Sequence, residues 1–119
     1  MRDHRSLEAW KQARIVSLAA LDASRKHWKP YAAAIFGQLQ RSALSVQLNI
    51  AEGYALGTRK SFANHLRIAY GSAIETQEIL ELAKEKSILP DEMARGMIES
   101  CARCQRLLLG LIKRYRRPR

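Results

Sequence analysis

A chain of 119 residues that is 47% apolar, with only three prolines and 7% aromatic residues, fits one domain with a single core and argues against an all-β sandwich. Its formal charge of +10 suggests an acidic partner, whether nucleic acid, an anionic surface or an acidic protein, without choosing among them. No run approaches the ~18 consecutive apolar residues of a membrane span, and the charged opening Met-Arg-Asp-His-Arg-Ser-Leu-Glu lacks an apolar signal core, so a cytoplasmic chain is expected.

Four helices are predicted. The first runs from about Asp3 to Lys26, because Leu7, Trp10, Ala13, Val16 and Ala20 recur at three- and four-residue spacing. Pro30 ends it by disfavouring helix at the residue before.

The second runs from about Ala32 to Tyr54, with Gly57 able to supply a left-handed turn. Between Gln38 and Glu52 it carries only two charges, Arg41 and Glu52. Wound at 3.6 residues per turn, Gln38, Arg41, Ser42, Ser45, Asn49 and Glu52 share an arc of roughly 100°. Leu39, Ala43, Val46 and Ile50 flank one side of that stripe, and Leu44 and Leu48 the other. This pattern reads as a central helix with a polar seam at a close packing contact.

Thr58 is a good N-cap for the third helix, about Arg59 to Lys86, with Phe62, Leu66, Ala69, Ala73 and Leu80 on one stripe. Its Gly71, Ser72 and Glu75 are candidates to meet the seam, with Glu75 or Glu52 answering Arg41. After a break at Ser87-Ile-Leu-Pro90, Asp91 can cap a fourth helix, about Glu92 to Arg116. Lengths near 25 residues with short loops imply an all-α, antiparallel up-down-up-down four-helix bundle. Residues 1–119 form one bundle domain, with 113–119 as a basic tail.

The charge is unevenly placed. By segment it is +4 over residues 1–29, 0 over 30–57, +1 over 58–89 and +5 over 90–119. On the last helix Arg95, Arg103, Arg106, Lys113, Arg114 and Arg117 fall in one arc, with Arg116 beside them, opposite Met93, Met97, Cys101, Cys104, Leu108 and Ile112. A basic ridge of this kind is the footprint of phosphate-backbone contact, and arginine suits bidentate phosphate binding. A solvated helix face gives the same pattern. No helix-turn-helix, zinc finger or stacking platform is visible, so sequence-specific readout is not expected.

Catalytic and cofactor chemistry find little support. Glu52, Glu75, His65 and Asn49 are the only acid–base candidates, and no nucleophile, base and orienter group together. The Cys101-x-x-Cys104 pair lacks a second ligand pair and a strand-to-helix setting, so two buried thiols are expected and no metal.

At these residues the chain resembles the bacterial four-helix bundle family related to the intervening-sequence proteins, encoded within large-subunit ribosomal RNA genes. The resemblance is carried by Leu7-x-x-Trp10-x-x-Ala13, by Gln38-Leu-x-Arg41-Ser-Ala-x-Ser45-Val-x-x-Asn49-Ile-Ala-Glu-Gly53, and by Arg59-Lys-x-Phe62 with Leu66-x-Ile-Ala-Tyr-Gly71-Ser72-x-x-Glu75. It implies a compact antiparallel bundle and a homo-oligomer, as a pentamer. A more distant likeness is to the accessory variability proteins of retroelements, one of which is a basic pentameric barrel that binds a reverse transcriptase and nucleic acid. The resulting expectation is a non-enzymatic, basic, homo-oligomeric protein, without cofactor, that contacts RNA or DNA phosphates non-specifically. The alternative is an oligomeric scaffold or adaptor whose target is another, acidic protein.

Overall fold

The computed structural model describes residues 3–116, and side chains through Tyr115. Four helices dominate: α1 (Glu8–His27), α2 (Ala33–Leu56), α3 (Arg59–Glu85) and α4 (Asp91–Arg116). α1 packs on α2 and α4, and α3 on α2 and α4, with no close backbone approach across either diagonal among the described residues. The result is a square antiparallel bundle 49 Å long and 21 Å across.

The helix ends follow local chemistry. α1 starts later than the expected Asp3, because the Asp3 carboxylate accepts the Arg5 amide and holds residues His4–Ser6 in a separate 3₁₀ turn. Such side-chain bonds compete with helix propagation. Lys29, ahead of Pro30, is extended at φ −140° and ψ 146°. Pro30–Ala32 adds a 3₁₀ turn that leads into α2.

Gly57 closes α2 at φ 81°, a conformation in which a Cβ is strained, and its amide reaches the Tyr54 carbonyl. Thr58 then caps α3 through its hydroxyl to Ser61 N, as its position suggests. Asp91 is helical rather than a cap: it lies inside the first turn of α4 and pairs with Lys84 and Arg95. The segment read as a basic tail is also partly helix, since α4 continues through Arg116.

Two apolar clusters fill the bundle along its axis. One holds Phe36, Leu39, Leu80, Leu89 and Met97 with small residues of α1. The other holds Ile50, Phe62, Leu66, Leu108 and Ile112 around Ala9 and Ala13. Between them lies a polar layer of Ser17, Ser42 and Thr76, each at most 4% exposed. Ser17 Oγ donates to the Ala43 carbonyl at 3.2 Å, and Thr76 Oγ1 lies 2.8 Å from Ser42 Oγ. Cys101 Sγ reaches the Ala73 carbonyl at 3.3 Å. The layer thus ties α1 to α2, α2 to α3 and α3 to α4 at one level.

Candidate polyanion-binding surface

The basic residues of α4 separate into two groups. Arg95 is held by Asp91 at 2.8 Å, and Arg103 reaches Glu99 at 3.4 Å and Ser100 Oγ at 3.2 Å. Both are i,i+4 pairs on one helix. Arg106, Lys113 and Arg114 form no ion pair among the described residues. The Arg116 side chain and all of Arg117 lie outside the described residues. Arg103 and Arg106 border a shallow depression of about 200 Å³ between α4 and α1, together with Gln12 and Leu107.

Antiparallel folding gathers these charges at one end of the bundle. The half around the α2–α3 turn comprises residues 3–16, 45–72 and 103–116, and carries eleven basic and three acidic side chains, for +8. The other half, residues 17–44 and 73–102, carries seven basic and eight acidic ones, for −1. The expectation placed the charge on the first and last helices. The structure adds Arg59, Lys60 and Arg67 of α3 to the same end, and sets the acidic run Glu75, Glu78, Glu81 and Glu85 at the opposite one.

At the basic end, the C-terminus of α4 meets the α2–α3 turn around a recess of about 250 Å³. Arg59 donates to the Arg114 carbonyl at 2.6 Å, satisfying an acceptor at the end of α4. Its guanidinium lies 5.0 Å from the centre of the Tyr115 ring, and that of Arg114 lies 5.7 Å from the same ring. Tyr115 packs edge-on against Phe62 at 4.8 Å, and Phe62 against Tyr54 at 5.2 Å. Gly53 lets the two helices close here: a Cβ on it would stand 2.5 Å from His65 Cβ. The meeting of Arg59 with Tyr115 is not legible in the sequence, because only folding brings residues 59 and 115 together.

The polar stripe of α2 divides. Ser42, Ser45 and Asn49 face α3, where Ser45 Oγ lies 2.8 Å from Ser72 Oγ and Asn49 Nδ2 donates to Ser45 O at 2.9 Å. Thr76, one turn beyond Ser72, completes this network, which its spacing alone could have revealed. Gln38, Arg41, Glu52, Gly71 and Glu75 are exposed instead. Arg41 donates to Gln38 Oε1 at 3.1 Å, and its expected pairing with Glu75 or Glu52 is absent among the described residues. The reason is direction: the 100° arc spans both the α3-facing edge of α2 and its solvent edge. A Cβ on Gly71 would meet nothing within 4 Å, so this glycine serves no close approach.

The acid–base candidates do not converge. His65 Nδ1 is 2.9 Å from the Ser61 carbonyl and its Nε2 3.6 Å from Glu52, while Asn49 is occupied by Ser45 and Glu75 is exposed. Cys101 and Cys104 are buried, and burial pushes their thiols up to about 11 and about 12. Among the described residues no group of three His, Cys, Asp or Glu side chains could hold a metal ion, and no helix is long and apolar enough to cross a membrane.

The fold and the surface can be set beside known proteins. A crystal structure of a protein of unknown function from the S23 ribosomal protein family of Bacteroides thetaiotaomicron VPI-5482 superposes with a TM-score of 0.79. It is 22% identical, over 88% of this chain and 98% of that one, and shows the same fold. No curated protein matches. The family model described as 23S rRNA-intervening sequence protein matches residues 5–110, nearly the whole bundle, and on that match the chain belongs to the 23S rRNA-intervening sequence protein family.

Proposed function

We propose that this protein is a non-enzymatic, self-associating binding protein that contacts the phosphates of RNA or DNA through the basic end of its bundle. One observation carries the reading: +8 of formal charge sits on one half of the molecule and −1 on the other. A merely solvated helix face would not require Arg106, Lys113 and Arg114, which form no ion pair among the described residues, to share an end with Arg59, Lys60 and Arg67 of α3. Arg106, Lys113 and Arg114 are the principal contacts, with Arg103, Arg116 and Arg117 extending the ridge. Arg95, neutralised by Asp91 near the far end, contributes little.

Self-association is supported by the outer face of α2 and α3. Leu48 is 61% exposed and Ile68 53% exposed, close in level on neighbouring helices. A ring of copies, as a pentamer, would cover such a face and repeat the basic end around it, multiplying weak phosphate contacts into avidity.

The test is binding of hydroxyl-ended RNA and DNA duplexes by fluorescence anisotropy, with light scattering on the same samples. Three phosphates neutralised per protomer give an affinity loss of about fortyfold between 50 and 200 mM salt. Arg106→Gln with Lys113→Gln lowers the salt slope by about two and weakens RNA and DNA alike, whereas Arg95→Gln changes neither. Scattering reports a discrete oligomer that Leu48→Glu dissociates. Binding indifferent to salt, or unchanged in the Arg106/Lys113 variant, would move the protein to the scaffold reading. A monomer in scattering would remove self-association.

A further inference from the structure

The recess at the α2–α3 turn has a composition distinct from the open ridge beside it. Among the described residues its charged lining is Arg59 and Arg114, from two helices, with no carboxylate. Its wall is aromatic, built from Tyr115, Phe62 and Tyr54. We infer that this recess binds a phosphomonoester, a dianionic phosphate carried on a small group. The inference deepens the basic-end reading and rests on it for its setting.

Two guanidinium groups lean on one ring, 5.0 and 5.7 Å from its centre. Both groups are cationic and border the same recess, so an anion seated there is attracted by each. Arginine forks match phosphate oxygens with two parallel bonds, stronger than neutral hydrogen bonds. Arg59 is already held by the Arg114 carbonyl at 2.6 Å. Part of the site is therefore positioned in advance, which lowers the ordering cost of binding.

Size selects the ligand class. About 250 Å³ corresponds to roughly eight waters at ~30 Å³ each. That accommodates a phosphate and part of the group it is attached to. An internal phosphodiester would have to thread a chain out on both sides, whereas a terminal phosphate enters end-on. A nucleic-acid end and a free small phosphate share this chemistry.

The experiment titrates the ¹⁵N-labelled full chain with inorganic phosphate against chloride at constant ionic strength. The expected result is a saturable shift of the Thr58, Arg59 and Tyr115 amides. Arg114→Gln, at an exposed side chain that the fold does not need, weakens it at least tenfold. Arg114→Lys, which keeps charge but loses the fork, recovers only part. Arg95→Gln, outside the recess and paired with Asp91, leaves phosphate affinity unchanged. Shifts that do not saturate, or that persist in Arg114→Gln, overturn the inference.

A second arm compares one RNA with 5′-phosphate and 5′-hydroxyl ends. A preference of fivefold or more, abolished by Arg114→Gln, assigns the site to a nucleic-acid end. Saturable phosphate binding without that preference assigns it to a small free phosphate. Loss of phosphate binding with hydroxyl-ended duplex still bound removes the recess alone. Phosphate binding without duplex binding removes the backbone-contact reading alone.

Discussion

Ser87 is the only described non-glycine residue with positive φ, at 56°. It follows α3, where its amide reaches the Lys84 carbonyl and the next amide, of Ile88, reaches Ala83 at 2.8 Å. This closure usually employs glycine, since a Cβ in the left-handed region costs roughly 1–2 kcal/mol. Ser87 is exposed, so Ser87→Gly loses no packing. Glycine's greater freedom in the unfolded chain offsets part of the gain. The net expectation is about 0.5–1 kcal/mol of added stability and a Tm a few degrees higher by circular dichroism. An unchanged or lower Tm would contradict the strain argument.

Two other residues make stability depend on pH. Desolvation raises Cys101 to about 11 and Cys104 to about 12 from 9.0, with the Cys101 charge adding to the second. Folding therefore keeps thiols protonated that the unfolded chain releases from pH 9. Their contribution is complete below that value and is lost as pH rises through 11 and 12. Urea unfolding of the Cys101→Ala/Cys104→Ala variant should show a shallower decline above pH 9 than the parent chain, whatever its absolute stability. Parallel declines would mean that the thiols titrate alike in both states.

Between helices, the mid-bundle polar layer sets how the elements align. Thr76 Oγ1 lies 2.8 Å from Ser42 Oγ and 2.7 Å from the Ser72 carbonyl, in a site with no solvent exposure. A buried hydroxyl left without its partner costs about 1–3 kcal/mol, but removing both partners costs much less. Each hydroxyl keeps a carbonyl partner when the other is removed, Thr76 that of Ser72 and Ser42 that of Leu39, so Ser42→Ala and Thr76→Val should each destabilise by only about 0.5–1.5 kcal/mol. The double variant should fall short of their sum by at least ~0.5 kcal/mol in denaturant titrations. Strict additivity would show that the two hydroxyls act independently.

The layer also shows what periodicity conveys. Ser42, Ser45 and Asn49 could be read as a seam because helical spacing puts them on one stripe, and small polar residues among apolar ones invite a close neighbour. That same stripe carried Arg41 and Glu52, which the structure turns to solvent. A wheel drawn for one helix has no neighbours on it, so it cannot say where packing ends and water begins. The helix start expected at Asp3 and the cap expected at Asp91 differ from the structure for a related reason: a carboxylate near a helix start can cap a turn, cap the helix or lie within its first turn. Asp3 caps a separate turn, while Asp91 pairs with Lys84 across a loop.

Across the whole molecule, the organising quantity is charge along the long axis. Sequence order separates α1 and α4 by the length of the chain, and counting by segment assigns them +4 and +5. Folding reverses direction at every connection, so the start of α1, the start of α3 and the end of α4 arrive together. The proposed polyanion surface and the phosphomonoester recess both depend on that arrival. Leu48 and Ile68, both exposed, also lie on helices adjacent in the bundle.

The amino-acid sequence by itself determined the number of helices, their antiparallel order, the stripe that fills the core and the family, because each depends on spacing within one segment or on short connections. Arg59 meeting Arg114, Thr76 meeting Ser42 and the +8 end were decided only by the tertiary structure. Those contacts join residues tens of positions apart, and their geometry depends on the rotation and level at which whole helices pack.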